Sequence, residues 1–426
     1  MRINALGFLK TGFLKTIAGA GLALALGTAA AGAQDVTVRM LHVNETGDPF
    51  WKKIAADYNA THKGVKVIVD YMENEAYKAK LPTLLQSDDR PDIIYSWAGG
   101  VMRAQIEAGY IQDISAHKAE FDQVIYPAPL GAYEVDGKLY GVSVQLSEVL
   151  LIYNKAMLAK AGVDPAAMKT WDGFLDVLKK TKGAGVTPLI MGGADKWPMH
   201  FFYSYLLMRL GGSDVLTTAE TTEGGFKAQP FIDAGAKLKE LAALEPFQEG
   251  WLGTKYLPSQ GQFGDGKGMM ALQLNGFIQG QQKNATDGKG IANDQIGLAP
   301  FPELPGGKGK ITDTLGGVQG FLVTKDAPKE AIDFLKYFVS AEAQKASAEA
   351  GVYVPATKGT DAFIKNPLVA EVARAISGST WHQNFLDQDL GPSVGRVVND
   401  VSVAIAAGDM TPEEGAQQIQ DAWDQR

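Results

Sequence analysis

Four aromatic residues of this chain stand beside turn-forming or polar neighbours: Trp97 before Gly99-Gly100, Trp197 between Lys196 and Pro198, Phe277 after Asn275-Gly276, and Trp381 in Ser379-Thr380-Trp381-His382-Gln383. Polar side chains able to hold fixed hydrogen bonds occupy comparable places. Asn44 and Glu45 follow the first strand pattern, Ser147 and Glu148 precede an apolar run, and Asp195 and His200 flank Trp197. Gly317 and Gln319 lie in the glycine-rich run from Leu315 to Val323, and Arg396 follows Gly391-Pro392-Ser393. Flat aromatic faces combined with amides, carboxylates and a guanidinium suit a polyhydroxylated ring, which shows C–H patches on its faces and hydroxyls around its edge. Trp51 and Trp171 fit the packing faces of helices and are expected to be structural.

Other chemistries account for less. Gly261, Gly266 and Lys267 have the spacing of a phosphate-binding loop, but Gly268 stands where a Ser or Thr hydroxyl must hold magnesium. A plain turn is the remaining reading. No two of the five histidines have metal-ligand spacing, so neither a metal site nor a cofactor is expected. No nucleophilic serine elbow is expected either. The competing enzyme class is a secreted glycosidase using two carboxyls drawn from Glu45, Glu148 and Asp195, whose separation a sequence does not give; no catalytic residue is assigned.

Residues 1–33 carry Arg2, Lys10 and Lys15, then an uncharged Ala/Gly/Leu-rich run, then Ala31-Gly32-Ala33. This pattern predicts a secretory signal peptide cut before Gln34. Cysteine is absent, which removes any disulfide framework, thiolate metal site or acylated cysteine anchor. A free, soluble, monomeric protein outside the inner membrane is the expectation. The formal charge of -8 becomes -11 when the three basic residues of the leader are lost, and nucleic acid is not an expected partner.

The roughly 390 residues that follow exceed what one core usually serves, so two lobes are expected. Strand and helix patterns alternate: strand Val36 to Val43, helix Phe50 to Asn59, strand Val65 to Tyr71, helix Ala76 to Gln86 and strand Ile93 to Ser96. That order predicts an α/β fold with a mainly parallel, doubly wound sheet. Asp136-Gly137 predicts a hairpin turn. Val149 to Tyr153 begins a second α/β lobe, with helix Trp171 to Thr181, strand Thr187 to Met191, a loop to Pro198 and a helix from His200 to Leu210. Met269 to Leu274 is a short apolar strand, and Asn275, Gly276 and Phe277 open the next helix. They therefore fall at the carboxyl edge, where open α/β sheets keep ligands. Phe277 is the leading expected contact.

Several pieces then coincide: the leader, Arg90-Pro91-Asp92-Ile93-Ile94 before Trp97, Leu139-Tyr140-Gly141-Val142 leading into Leu151-Ile152-Tyr153-Asn154-Lys155, Gly266-Lys267-Gly268-Met269-Met270 leading into Asn275-Gly276-Phe277, and Gly317 to Val323 before Asp333-Phe334-Leu335-Lys336. Together they resemble the family 1 extracellular solute-binding proteins, the maltose-binding-protein-like sugar-binding components of ABC importers. The resemblance implies a two-lobe periplasmic binding protein fold with three chain crossings, near Val144 to Val149, Thr312 to Gly317 and Val339 to Ala343. It places residues 34–146 and 313–341 in the N-terminal lobe and residues 147–312 and 342–426 in the C-terminal lobe. It also implies a di- or oligosaccharide held between the lobes and passed to a membrane permease from the periplasm. The expected ligand contacts are Asn44, Glu45, Trp97, Ser147, Asp195, Trp197, His200, Asn275, Gly276, Phe277, Gly317, Gln319, Trp381 and Arg396. A non-sugar solute or an anionic sugar is the alternative cargo, the latter requiring a committed cation such as Arg396 or His200.

Overall fold

The fold is described from a computed structural model covering residues 35–426. The predicted signal peptide lies outside the described residues. Among the described residues, no helix is long and apolar enough to cross a membrane.

The strands, in chain order, are β1 (Val36–His42), β2 (Val65–Tyr71), β3 (Ile93–Ser96), β4 (Glu134–Val135), β5 (Lys138–Leu139), β6 (Gly141–Asn154), β7 (Met270–Leu274), β8 (Ile296–Ala299), β9 (Thr314–Val323), β10 (Val354–Pro355) and β11 (His382–Asn384). β4 and β5 form the hairpin that Asp136-Gly137 predicts, and the other nine share one sheet. The expected strand at Thr187 to Met191 is reduced to bridges from Leu189 to Phe247 and Met270.

β6 is the spine. It runs from Gly141 to Asn154 without a break, and only two of its fourteen residues are less than fully buried, as in a strand covered on both faces. Its first half pairs with β9 on one side and β10 on the other, and its second half pairs with β8 and β7. The sheet is mixed for this reason. Where helices connect strands, β1 lies parallel to both β2 and β3; where the two long strands run against each other the pairing is antiparallel, from Gly141 opposite Leu322 to Val149 opposite Leu315. The glycines of β9 permit the close approach: a Cβ on Gly316 would strike the Ser147 carbonyl, and one on Gly320 the Val142 carbonyl.

Two large cores flank this spine. The first gathers Val38, Met40, Trp51, Tyr95, Phe321 and Phe338; the second gathers Trp171, Phe202, Phe226, Leu272, Phe301 and Val398. A smaller third cluster, with Leu150, Ile152, Phe263, Phe277 and Val372, covers the opposite face of β6 and β7. The chain leaves the first core later than Val339 to Ala343, because Val352, Tyr353 and Ala356 still pack into it and the Trp51 indole N–H donates to the Tyr353 hydroxyl at 3.1 Å. Trp51 and Trp171 are fully buried.

Candidate functional site

A cleft of about 250 Å³ opens between the two large cores, over β6 and β9. The loop after β1 brings Asn44 and Glu45 to its rim. Asn44 Oδ1 accepts from the Gly47 amide at 2.8 Å while its Nδ2 donates to Gln145 Oε1 at 2.9 Å, so a turn from the first lobe is tied to the spine. Glu45 meets Lys283 of the second lobe at 3.3 Å. Along β6, Gln145 and Ser147 share one face at period two. Ser147 Oγ accepts from Gln319 Nε2 at 2.8 Å, leaving Gln319 Oε1 buried without a partner. Gly317 does not line the cleft; a Cβ there would run into Phe385 and the Gln319 amide, both cleft residues.

The aromatic walls come from both lobes. Trp97 follows β3 and is presented by a turn in which Ala98 and Gly99 both take positive φ, an unusual conformation for alanine. Its ring lies edge-on to Tyr95 and Tyr77, with the Lys78 ammonium 5.6 Å from its centroid. Trp197 opens the helix Trp197–Gly211, with Pro198 in its first turn. This apolar, almost wholly buried helix starts earlier than the expected His200. Trp197 packs against Tyr256 at 4.6 Å between centroids, and Asp195 fixes Tyr256 by accepting its backbone N–H at 2.7 Å. Asn275 likewise serves the backbone, its Oδ1 accepting from the Glu148 amide at 3.0 Å.

Ten of the fourteen expected contacts line this cleft: Asn44, Glu45, Trp97, Ser147, Asp195, Trp197, His200, Asn275, Gly276 and Gln319. Besides Gly317, three others do not. Phe277 is fully buried in the third cluster, edge-on to Phe263 at 5.5 Å. The first residue of its helix turns under the sheet, and Tyr256 takes the position at the cleft. Trp381 packs against the second core, and its carbonyl accepts the Thr314 amide at 2.9 Å. Arg396 is exposed on the helix Gly391–Ala407, whose buried stripe is Val394, Val398, Val401 and Ile405. The same helix begins with Gly391-Pro392-Ser393-Val394-Gly395, which spells Gly-x-Ser-x-Gly; Ser393 is exposed in a first helical turn, with no strand before it to make a nucleophile elbow.

Among the lining residues not anticipated are Tyr71, Tyr95, Gln145, Lys78, Tyr256, Tyr353, Phe385 and Asp387. Gln145 was findable, since Gln145 and Ser147 are polar at alternate positions of an otherwise apolar run. Asp387 had no such signal. It is buried, its Oδ2 accepting from Asn399 at 3.1 Å and Gln388 at 3.0 Å, with Lys78 Nζ at 3.8 Å and His200 Nε2 3.7 Å from Oδ1. Burial opposes its charge, but His200 when it carries a second proton, Lys78 and the two amides hold its carboxyl below the usual range. Burial lowers the pKa of His200, and Asp387 only partly offsets this.

The profile of the bacterial extracellular solute-binding proteins matches residues 43–345, taking in most of both walls of the cleft. The chain belongs to that family. Among the curated relatives of this solute-binding protein is a Pyrococcus horikoshii protein named as an uncharacterized ABC transporter extracellular-binding protein, 30% identical over 139 residues. The aligned stretch spans 32% of each of the two chains. Among solved structures, a chitin oligosaccharide binding protein superposes with a TM-score of 0.82 at 23% identity, covering 92% of this chain and 98% of that one. A structure from work on xylan utilization by Caldanaerobius polysaccharolyticus gives 0.83 at 24% identity, covering 91% and 99%. At such identities these are likenesses of fold, and the fold they share is the two-lobe one.

Proposed function

We propose that this solute-binding protein is the substrate-binding component of an ABC importer that captures a di- or oligosaccharide in the cleft and delivers it to a membrane permease. The observation that carries the reading is the composition of the cleft: Trp97, Trp197 and Tyr256 supply flat faces from both lobes, and Gln145, Ser147, Gln319 and Asp387 supply fixed hydrogen-bonding groups between them. Relatives of this fold named for chitin oligosaccharide and xylan utilization support the same cargo class. The protein works as a monomer in the periplasm after loss of residues 1–33, and it binds its sugar without hydrolysing it. The lobes turn about the spine where the chain passes from core to core, at residues 146–149, at 314–317 and beyond Ala356.

A thermal-shift screen against neutral mono-, di- and trisaccharides tests this. A ligand at 100 times its Kd should stabilise by about 2.7 kcal/mol. Stabilisation by at least one carbohydrate, recovered chemically unchanged, is the expected result. No shift with any of them refutes the reading.

A further inference from the structure

The cleft contains one pair of buried groups whose hydrogen-bonding needs do not match each other. His200 is 1% exposed, and its Nδ1 stands 2.6 Å from the Trp197 carbonyl oxygen. A carbonyl only accepts, so Nδ1 carries the ring proton, and the Nε2 of the neutral ring is a bare lone pair. That Nε2 has no partner. Facing it at 3.7 Å is Asp387 Oδ1, an acceptor in an ionised carboxylate that is itself 6% exposed. The other oxygen, Oδ2, is occupied by Asn399 and Gln388. Two acceptors thus stand side by side at the cleft wall, Nε2 buried and Oδ1 without a bonded donor, and with the ring neutral neither can satisfy the other. A buried acceptor left unpaired is costly, and one hydroxyl has a single hydrogen to donate and so serves only one of them.

We infer that the His200–Asp387 pair is the specificity element of the cleft, recognising two hydroxyls on adjacent ring carbons that donate one hydrogen bond to Nε2 and one to Oδ1. This rests on the carbohydrate reading of the cleft and narrows it. The surrounding charge favours a neutral ring at that place. Lys78 is shared between Glu75 at 3.5 Å and Asp387 at 3.8 Å, while Glu45, Glu73 and Asp195 also line the cleft. Arg396 lies outside the cleft, and Lys255, which lines it, is exposed beside Tyr256 in the chain. A ring bearing a carboxylate in place of one hydroxyl would set a third acceptor and a second negative charge against the pair, so uronic acids are refused. Lys78 orients Asp387 and is a positioning residue.

Titration calorimetry tests this with xylotriose, N,N′-diacetylchitobiose and maltotriose, with digalacturonate as the acidic probe, and with deoxy analogues of the tightest neutral binder. In the wild type, removing either hydroxyl of one adjacent pair should weaken binding about 10-fold or more, the effect of losing a hydrogen bond to a buried or charged acceptor. In His200→Phe one of those deoxygenations should cost nothing further, and in Asp387→Asn the other should be blunted. Nitrogen NMR of the His200 ring supplies a readout independent of both variants: Nδ1–H in the free protein, and an Nε2 signal that moves on sugar binding. If either variant fails to fold, the wild-type deoxy series and the ring spectra still decide. Variants that bind as the wild type does, an Nε2 that is protonated at neutral pH, or digalacturonate bound as tightly as the neutral sugars each overturn the inference while leaving the carbohydrate reading standing. Absence of binding by every sugar overturns both.

Discussion

Glu148 shows what a single buried carboxyl does in this protein. It sits on β6 with 4% exposure and a partnerless Oε2, and burial, with Glu371 nearby, lifts its pKa to about 8. The native state therefore holds a proton that the unfolded chain releases near the ordinary carboxylate value. This contribution to stability is complete below the unfolded pKa and disappears as pH rises toward 8. Urea unfolding of Glu148→Gln should match the wild type near pH 5 and exceed it at pH 9 by on the order of a few kcal/mol; equal curves at both pH values would refute the protonated state. Tyr256 illustrates a different kind of residue. Held by Asp195 and packed at a tilt against Trp197, it is the aromatic at the cleft where Phe277 was expected. Tyr256→Ala should weaken sugar binding by about 1–3 kcal/mol in calorimetry, with His200 chemistry unaltered. Ser147 was legible from its place before an apolar run and Gln319 from its place in a glycine-rich strand. Which of two neighbouring aromatics reaches the cleft was not, because side-chain direction at a helix start depends on what the helix packs against.

At the scale of elements, the βα order of the first lobe and the helix starts at Thr411-Pro412 and Trp171 follow from local pattern, and the capping box of Thr411 and Glu414 is present. β6 was read as a short second strand after a hairpin because Gly141 and the polar pair Gln145 and Ser147 interrupt its apolar pattern. Those polar residues are the floor of the cleft, and the strand runs through it. The helix Phe277–Asn284 carries the matching lesson in stability. Phe277 is fully buried against Phe263 and Ile278's cluster, so Phe277→Ala should cost about 3–5 kcal/mol in denaturant unfolding, with wild-type sugar affinity in the folded fraction. A loss of affinity with no loss of stability would return Phe277 to the cleft.

For the whole molecule, the lobes meet through Lys78 and Asp387, through Arg103 and Asn384, which donate to the Asp389 and Trp97 carbonyls at 3.1 Å, and through Lys283 and Glu45. Lys283 and Glu45 are about half and one-third exposed, a setting in which an ion pair contributes at most about 1 kcal/mol. A sugar held between the lobes adds contacts to both, so small-angle scattering should give a smaller radius of gyration with bound sugar than without, and an unchanged radius would show a rigid site. The order in which the chain is made bears on the same architecture. Ser147 lies opposite Gly317, and the first core takes in Phe321, Leu322 and Val323 as well as residues near the start of the described chain. The second core begins at Val149 and still needs Leu315 and Val398. Closing such distant pairs is slow. During synthesis, then, neither half can set until about three-quarters of the chain has left the ribosome, and for that long interval the chain is a thread without a finished core.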